Sequence, residues 1–182
     1  MGSLREESYA LKIAKNTLEM FSDDFEPEIV SIRDLPLYDA DYDDATMTHK
    51  PLPQAYSVFR QTLKEAAGIL FVASENNRTI SACLKNALDV ASKPKGDVAL
   101  MNTPVAVISH SVGAMGGYSA NKNLRLALSY FVMPTVQQPE VFLGHSPELL
   151  DDQGHFKAES TQQFVQSYIQ QFEALMVAHP KA

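Results

Sequence analysis

Gly68-Ile69-Leu70-Phe71-Val72-Ala73 is an apolar run with no polar alternation. Such a run reads as a strand covered on both faces, the habit of parallel sheets. Pro104-Val105-Ala106-Val107-Ile108-Ser109 repeats the pattern. Between the two, residues 74–79 are polar and Ile80 to Ser92 is helical. A glycine-rich loop at 111–117 follows the second run, then a helix to about Tyr130. Val136 and Val141-Phe142-Leu143 predict a last strand, and residues 160–178 a closing helix. Upstream, Leu11, Ala14, Leu18 and Phe21 recur at helical spacing, so 8–21 reads as an amphipathic helix. Glu28-Ile29-Val30-Ser31-Ile32 predicts a short strand, and Leu52 to Ala67 a helix opened by Pro51 or Pro53. The acidic stretch between them, 33–50, reads as a surface loop long enough for a functional role, with its 39–44 run as solvated loop surface.

Strands and helices therefore alternate, and the strands are apolar throughout. That order specifies a doubly wound parallel α/β sheet with helices on both faces, spanning 1–182 as one domain. Ligands of such sheets sit at the C-terminal ends of strands. The polar segments 74–79 and 109–117 each lie on that edge, directly after a strand and before a helix.

Composition sets the outer limits. The chain has 182 residues, 45% hydrophobic and 20% charged, which suits a globular protein with a large core. A formal charge of −7 argues against nucleic-acid binding. Cys83 is the sole cysteine, so no internal disulfide forms, and a reducing, cytoplasmic setting is expected. Cys83 itself reads as a small core residue rather than a nucleophile. The five histidines show no metal-ligand spacing. No apolar run is long enough to span a membrane.

Gly2-Ser3-Leu4-Arg5-Glu6-Glu7-Ser8 opens directly onto the first helix. The free N–H groups of a helix's first turn carry the positive end of its dipole. Ser3 and Ser8 add hydroxyl donors and Arg5 adds a cation, so the segment reads as a phosphate site. A phosphate loop of this kind should follow a strand, and only Met1 precedes it here. The alternation thus predicts a further parallel strand ahead of Gly2, about five residues long.

Three segments together resemble the NADPH-dependent FMN reductase family, the flavodoxin-like group that includes quinone, azo-dye and chromate reductases. Gly2, Ser3, Arg5 and Ser8 match its opening Gly-Ser-x-Arg-x-x-Ser; Ala10 stands where the family usually has Asn. Ser74-Glu75-Asn76-Asn77 before Leu84-Lys85-Asn86-Ala87-Leu88-Asp89 is similar to Pro-Glu-Tyr-Asn before Leu-Lys-Asn-Ala-x-Asp. Ser74 replaces the proline and Asn76 the tyrosine that lies beside the flavin ring. Ser109, Gly113, Gly116 and Gly117 match Ser-x-x-x-Gly-x-x-Gly-Gly.

The resemblance implies a flavodoxin-like fold, FMN as cofactor and NAD(P)H as co-substrate. It places the FMN phosphate on Ser3, Arg5 and Ser8. Ser74, Glu75, Asn76 and Asn77 would follow the ribityl chain and the ring edge. Ser109, Gly113, Gly116 and Gly117 would form the third segment, whose glycines let backbone approach a flat ring. The cofactor does the chemistry, so no general acid or base is implied. Hydride passes from NAD(P)H to the flavin, and electrons then pass to FMN, a quinone or a similar acceptor. A homodimer or homotetramer is expected.

Two rivals belong to other classes. An FMN-binding electron carrier would share the site and lack turnover with NAD(P)H. A serine hydrolase would use Ser111, since Ser109-His110-Ser111-Val112-Gly113 lies between a strand and a helix as a nucleophile elbow does, with Asp152 and His155 completing the chain order.

Overall fold

The computed structural model describes residues 1–181. At its centre is β3, Val105–His110, with every residue buried. It pairs in parallel with β1, Ile69–Asn76, on one side and with β4, Val141–Leu143, on the other. A two-residue strand β2, Thr79–Ile80, folds back antiparallel on β1, giving the order β2-β1-β3-β4. The helices are α1 (Tyr9–Leu18), α2 (Gln54–Glu65), α3 (Ala82–Ala91), α4 (Tyr118–Leu128), α5 (Ser146–Leu149) and α6 (Glu159–Ala178).

The lack of alternation in the strands has a direct cause. Phe71, Ala73, Val105 and Val107 pack into a core with α2, α3 and α4. Val72, Ala106, Ile108 and Val141 turn the other way, into a core with α1 and α6. Successive side chains of one strand thus enter opposite cores, and each must be apolar. The expected flavodoxin-like layering is present.

The strand expected at 28–32 does not form. Its backbone carries no regular ladder, because an apolar slot of about 950 Å³ separates it from β1. Ile29, Val30 and Ile32 line one wall of the slot, and Gly68 to Val72 the other. In a parallel ladder, alternate residues bond to alternate neighbours. Ile69 N–H donates to Pro104 on the β3 side at 2.9 Å, so Leu70 and Val72 turn their polar groups toward the slot. Beyond this edge's pairing with β2 at Glu75 and Asn76, among the described residues only Gly2 bonds to it, its N–H donating to the Val72 carbonyl at 2.8 Å.

The polar segment 74–79 is not a simple strand-to-helix loop. β1 continues through it to Asn76 and turns at Asn77 and Arg78, with φ of 49° and 67°. Two consecutive left-handed residues make the tight turn whose twist matches a hairpin. Ser81 then caps α3, accepting from Leu84 N–H at 3.3 Å, while its hydroxyl donates to the Gly2 carbonyl at 2.7 Å. The acidic loop is also only partly solvated. Asp43 forms a two-pronged pair with buried Arg60 at 2.6 and 2.8 Å, and Arg60 Nε donates to the Val90 carbonyl. Asn86 accepts from Tyr38 N–H at 2.7 Å and donates to Pro36, pinning the same loop to α3.

Candidate functional site

A pocket of about 430 Å³ opens at the C-terminal ends of β1 and β3. That is where an open parallel sheet places its ligand site. Three stretches of chain build it: Ser3, Arg5, Ser8 and Tyr9; Ser74 to Arg78; and His110 to Met115. The register of the sheet brings the last two together, since Ser74 and His110 are parallel neighbours.

The first stretch is a helix entrance. Ser8 is the N-cap of α1, with extended φ/ψ of −80° and 128°, and its Oγ accepts from Leu11 N–H at 3.4 Å. Its own O–H remains available as a donor. Ser3 Oγ accepts from Arg5 N–H at 3.4 Å, so its proton is also available. Among the described residues the N–H groups of Tyr9 and Ala10 meet no acceptor, and Arg5 forms no ion pair. Unused amides, two hydroxyl donors and a guanidinium at one helix end are the donor set a phosphate requires. These residues fit the phosphate of FMN.

The second stretch is the β1–β2 hairpin. Glu75 Oε2 accepts from Ala120 N–H at 3.1 Å, which satisfies an orphan amide of α4 and ties the hairpin to that helix. Asn76 and Asn77 are exposed at the hairpin tip and line the pocket.

The third stretch divides the glycines by role. A Cβ on Gly113 would meet nothing within 4 Å, and Gly113 lines the pocket. Gly116, at φ +60°, would place a Cβ 2.6 Å from the Phe142 carbonyl carbon. Gly117, at φ +77°, would place one 2.8 Å from the His110 carbonyl oxygen. Ser109 is fully buried and donates to the Gly116 carbonyl at 2.9 Å. Ser3, Arg5, Ser8, Ser74, Glu75, Asn76, Asn77 and Gly113 therefore converge on the pocket. Ser109, Gly116 and Gly117 do not line it; they brace the loop against β3 and β4 from behind.

The residue that sequence reasoning passed over is His110. It is 6% exposed, yet it forms part of the pocket wall. Its Nε2 lies 2.8 Å from Ser74 Oγ and its Nδ1 2.9 Å from Ser146 Oγ. Tyr9 meets the ring edge-on at 6.5 Å between centroids. Burial pushes the His110 pKa down to about 4. The one sequence signal was its place at the end of a strand, which becomes informative only with the register in hand.

The hydrolase constellation is not assembled. Ser111 Oγ donates to the Gly113 carbonyl at 3.0 Å and has no histidine nitrogen in reach. His155 instead faces Asp151, at 3.7 Å.

The profile of the NADPH-dependent FMN reductase family matches residues 1–148. A quinone reductase of Pseudomonas putida is 40% identical over 172 residues, which cover 94% of this chain and 89% of that protein. A 2-hydroxy-1,4-benzoquinone reductase of a Burkholderia species is 34% identical over 174 residues, covering 96% and 92%. Among solved structures, the flavoenzyme FerB of Paracoccus denitrificans, an NAD(P)H:(acceptor) oxidoreductase, superimposes with a TM-score of 0.87 at 27% identity, covering 98% of this chain and 95% of FerB. Pocket, fold and relatives agree: the chain is an oxidoreductase and belongs to the NADPH-dependent FMN reductase family, whose chemistry rests on FMN with NAD(P)H as electron donor.

Proposed function

We propose that the chain forms one FMN-binding domain that carries two electrons from NAD(P)H to a quinone. In balance, NAD(P)H, a proton and the quinone give NAD(P)⁺ and the hydroquinone. The observation that carries this reading is the convergence of a donor-rich helix entrance, the β1–β2 hairpin and the Gly113 loop on one pocket. Ser3, Arg5 and Ser8, with the Tyr9 and Ala10 amides, hold the phosphate. Ser74, Glu75, Asn76 and Asn77 follow the ribityl chain and the ring edge. Gly113 lets backbone lie against the ring, while Ser109, Gly116 and Gly117 hold its loop in place. When bound, FMN supplies the ring that accepts hydride and releases electrons.

A quinone as acceptor is supported by the names of the two relatives above and by the pocket rim. Val112 and Met115 stand there 67% and 60% exposed, an apolar ledge suited to a flat, uncharged acceptor. The same reading makes the protein a cytoplasmic homodimer or homotetramer that acts on small molecules, with neither nucleic acid nor membrane as partner. The net charge of −7 disfavours nucleic acid as a partner, and among the described residues no helix is long and apolar enough to cross a membrane.

The test is NAD(P)H oxidation by FMN-loaded protein with and without benzoquinone. Acceleration by the quinone is the expected result. Protein that binds FMN but leaves both NADH and NADPH unoxidised would be an electron carrier. Protein that does not perturb FMN fluorescence at micromolar concentration would overturn both readings.

A further inference from the structure

Ser74, His110, Ser146 and Ser111 form a hydrogen-bond chain that starts at the pocket wall, passes through the buried Ser146 hydroxyl and ends on the Ser111 carbonyl. Its direction follows from counting protons. Ser146 Oγ lies 2.8 Å from the Ser111 carbonyl, which can only accept, so the Ser146 hydroxyl must donate there. That uses its single proton. At 2.9 Å from His110 Nδ1, Ser146 Oγ must then accept, which places a proton on Nδ1. The ring is buried and neutral at pH 7, so Nε2 carries a lone pair. Ser74 Oγ, 2.8 Å away, must donate to it.

We propose that His110 is a positioning residue which, locked as its Nδ1–H tautomer, turns the Ser74 hydroxyl so that only lone pairs face the pocket and Ser74 becomes an acceptor for the hydroxyl donors of a polyol chain such as the ribityl group. This rests on the FMN reading of the pocket and deepens it, since it assigns polarity to the wall beside the phosphate end. Ser3, Arg5 and Ser8 are donors, suited to an anion. Ser74 is the complement, suited to a neutral O–H. A hydroxyl free to rotate could serve either partner; the imidazole removes that freedom before the ligand arrives, which lowers the ordering cost of binding. His110 acts through Ser74, since both of its ring nitrogens are already engaged by Ser74 and Ser146.

The first measurement needs no flavin. Long-range proton–nitrogen NMR on the flavin-free protein at pH 7 reads the tautomer directly. A protonated Nδ1 with an unprotonated Nε2 is expected; the opposite tautomer or a charged ring would overturn the assignment. The second is affinity for FMN and for riboflavin in His110→Gln, His110→Phe, Ser74→Ala and the double variant Ser74→Ala/His110→Phe. A neutral hydrogen bond corresponds to about three- to tenfold in affinity. His110→Phe and Ser74→Ala should each lose that much for both ligands alike, because the phosphate end is untouched. The double variant should lose no more than either single one. His110→Gln keeps a side-chain acceptor and should stay within about twofold of the parent, below the span of one hydrogen bond. Equal weakening by His110→Gln and His110→Phe, or additive losses in the double variant, would show mere structural support. Should His110→Phe not fold, His110→Gln against Ser74→Ala still decides between them. Failure of the parent to bind any flavin would strike the FMN reading, while the tautomer would still decide the polarity of Ser74.

Discussion

Gly2 donates its backbone N–H to the Val72 carbonyl at 2.8 Å and receives the Ser81 hydroxyl on its own carbonyl at 2.7 Å. These two bonds hold the start of the 2–8 segment against β1, two residues before Ser74. A Cβ on Gly2 would come within 3.1 Å of Leu84 Cδ2 and 3.3 Å of the Val72 oxygen, so any larger residue there is tight against β1. Below Gly2 the edge of β1 runs on beside the apolar slot.

That edge makes the first prediction. The polar groups of Leu70 and Val72 and the side chains of Ile29, Val30 and Leu84 form a receptor for one parallel strand. Six extended β-branched residues fused ahead of Met1 should occupy it. Each fully buried Val or Ile is worth about 1.5–3 kcal/mol, and 1 kcal/mol moves the melting midpoint of a chain this size by roughly 2–4 °C. A rise of at least about 5 °C is expected, together with slower hydrogen exchange at the Leu70 and Val72 amides. A fusion that raises neither has not entered the slot.

Arg5→Ala tests the phosphate end. A charge-assisted bond to phosphate is worth about 1.5–3 kcal/mol, so FMN affinity should fall roughly ten- to hundredfold. Riboflavin lacks the phosphate and should lose little. Equal losses for both ligands would remove Arg5 from the phosphate position.

The layering and the site edge were legible in the sequence because they depend on local pattern. Two faces covered means two cores, and Phe71 beside Val72 records both. What escaped depends on contacts distant in sequence. Residues 28–32 have a strand's composition, but a strand exists only with a hydrogen-bonding neighbour. The β1–β2 turn uses Asn77 and Arg78, and arginine is no signal for a left-handed residue. Gly116 and Gly117 read as cofactor contacts, but their reason is the nearby backbone of Phe142 and His110. His110 gained meaning only from its partners Ser74 and Ser146, each 36 residues away in sequence.

The glycine loop yields a paired prediction. Gly117→Ala puts a Cβ on a left-handed residue and 2.8 Å from the His110 carbonyl oxygen. The conformation alone costs roughly 1–2 kcal/mol and the clash adds to it. Thermal melting should therefore fall by several degrees. Gly113→Ala meets open space, so stability should hold while FMN affinity drops. Calorimetry and flavin titration on the two variants separate the roles. A stable Gly117→Ala, or a Gly113→Ala with unchanged FMN affinity, would refute the division.

Asn76→Tyr introduces the tyrosine that the family resemblance implies at this position. Asn76 ends β1 beside the turn, is exposed and lines the pocket, so a larger side chain meets no core there. Tyrosine also suits an extended backbone better than asparagine. An aromatic face beside the flavin ring adds about 1 kcal/mol, or roughly fivefold in affinity. The gain should appear for riboflavin as well as FMN, because it acts on the ring and not on the phosphate. Fluorescence titration with both flavins reads this directly. A gain confined to FMN would place the new ring at the phosphate end, and a loss for both would mean that the hairpin tip faces away from the flavin ring.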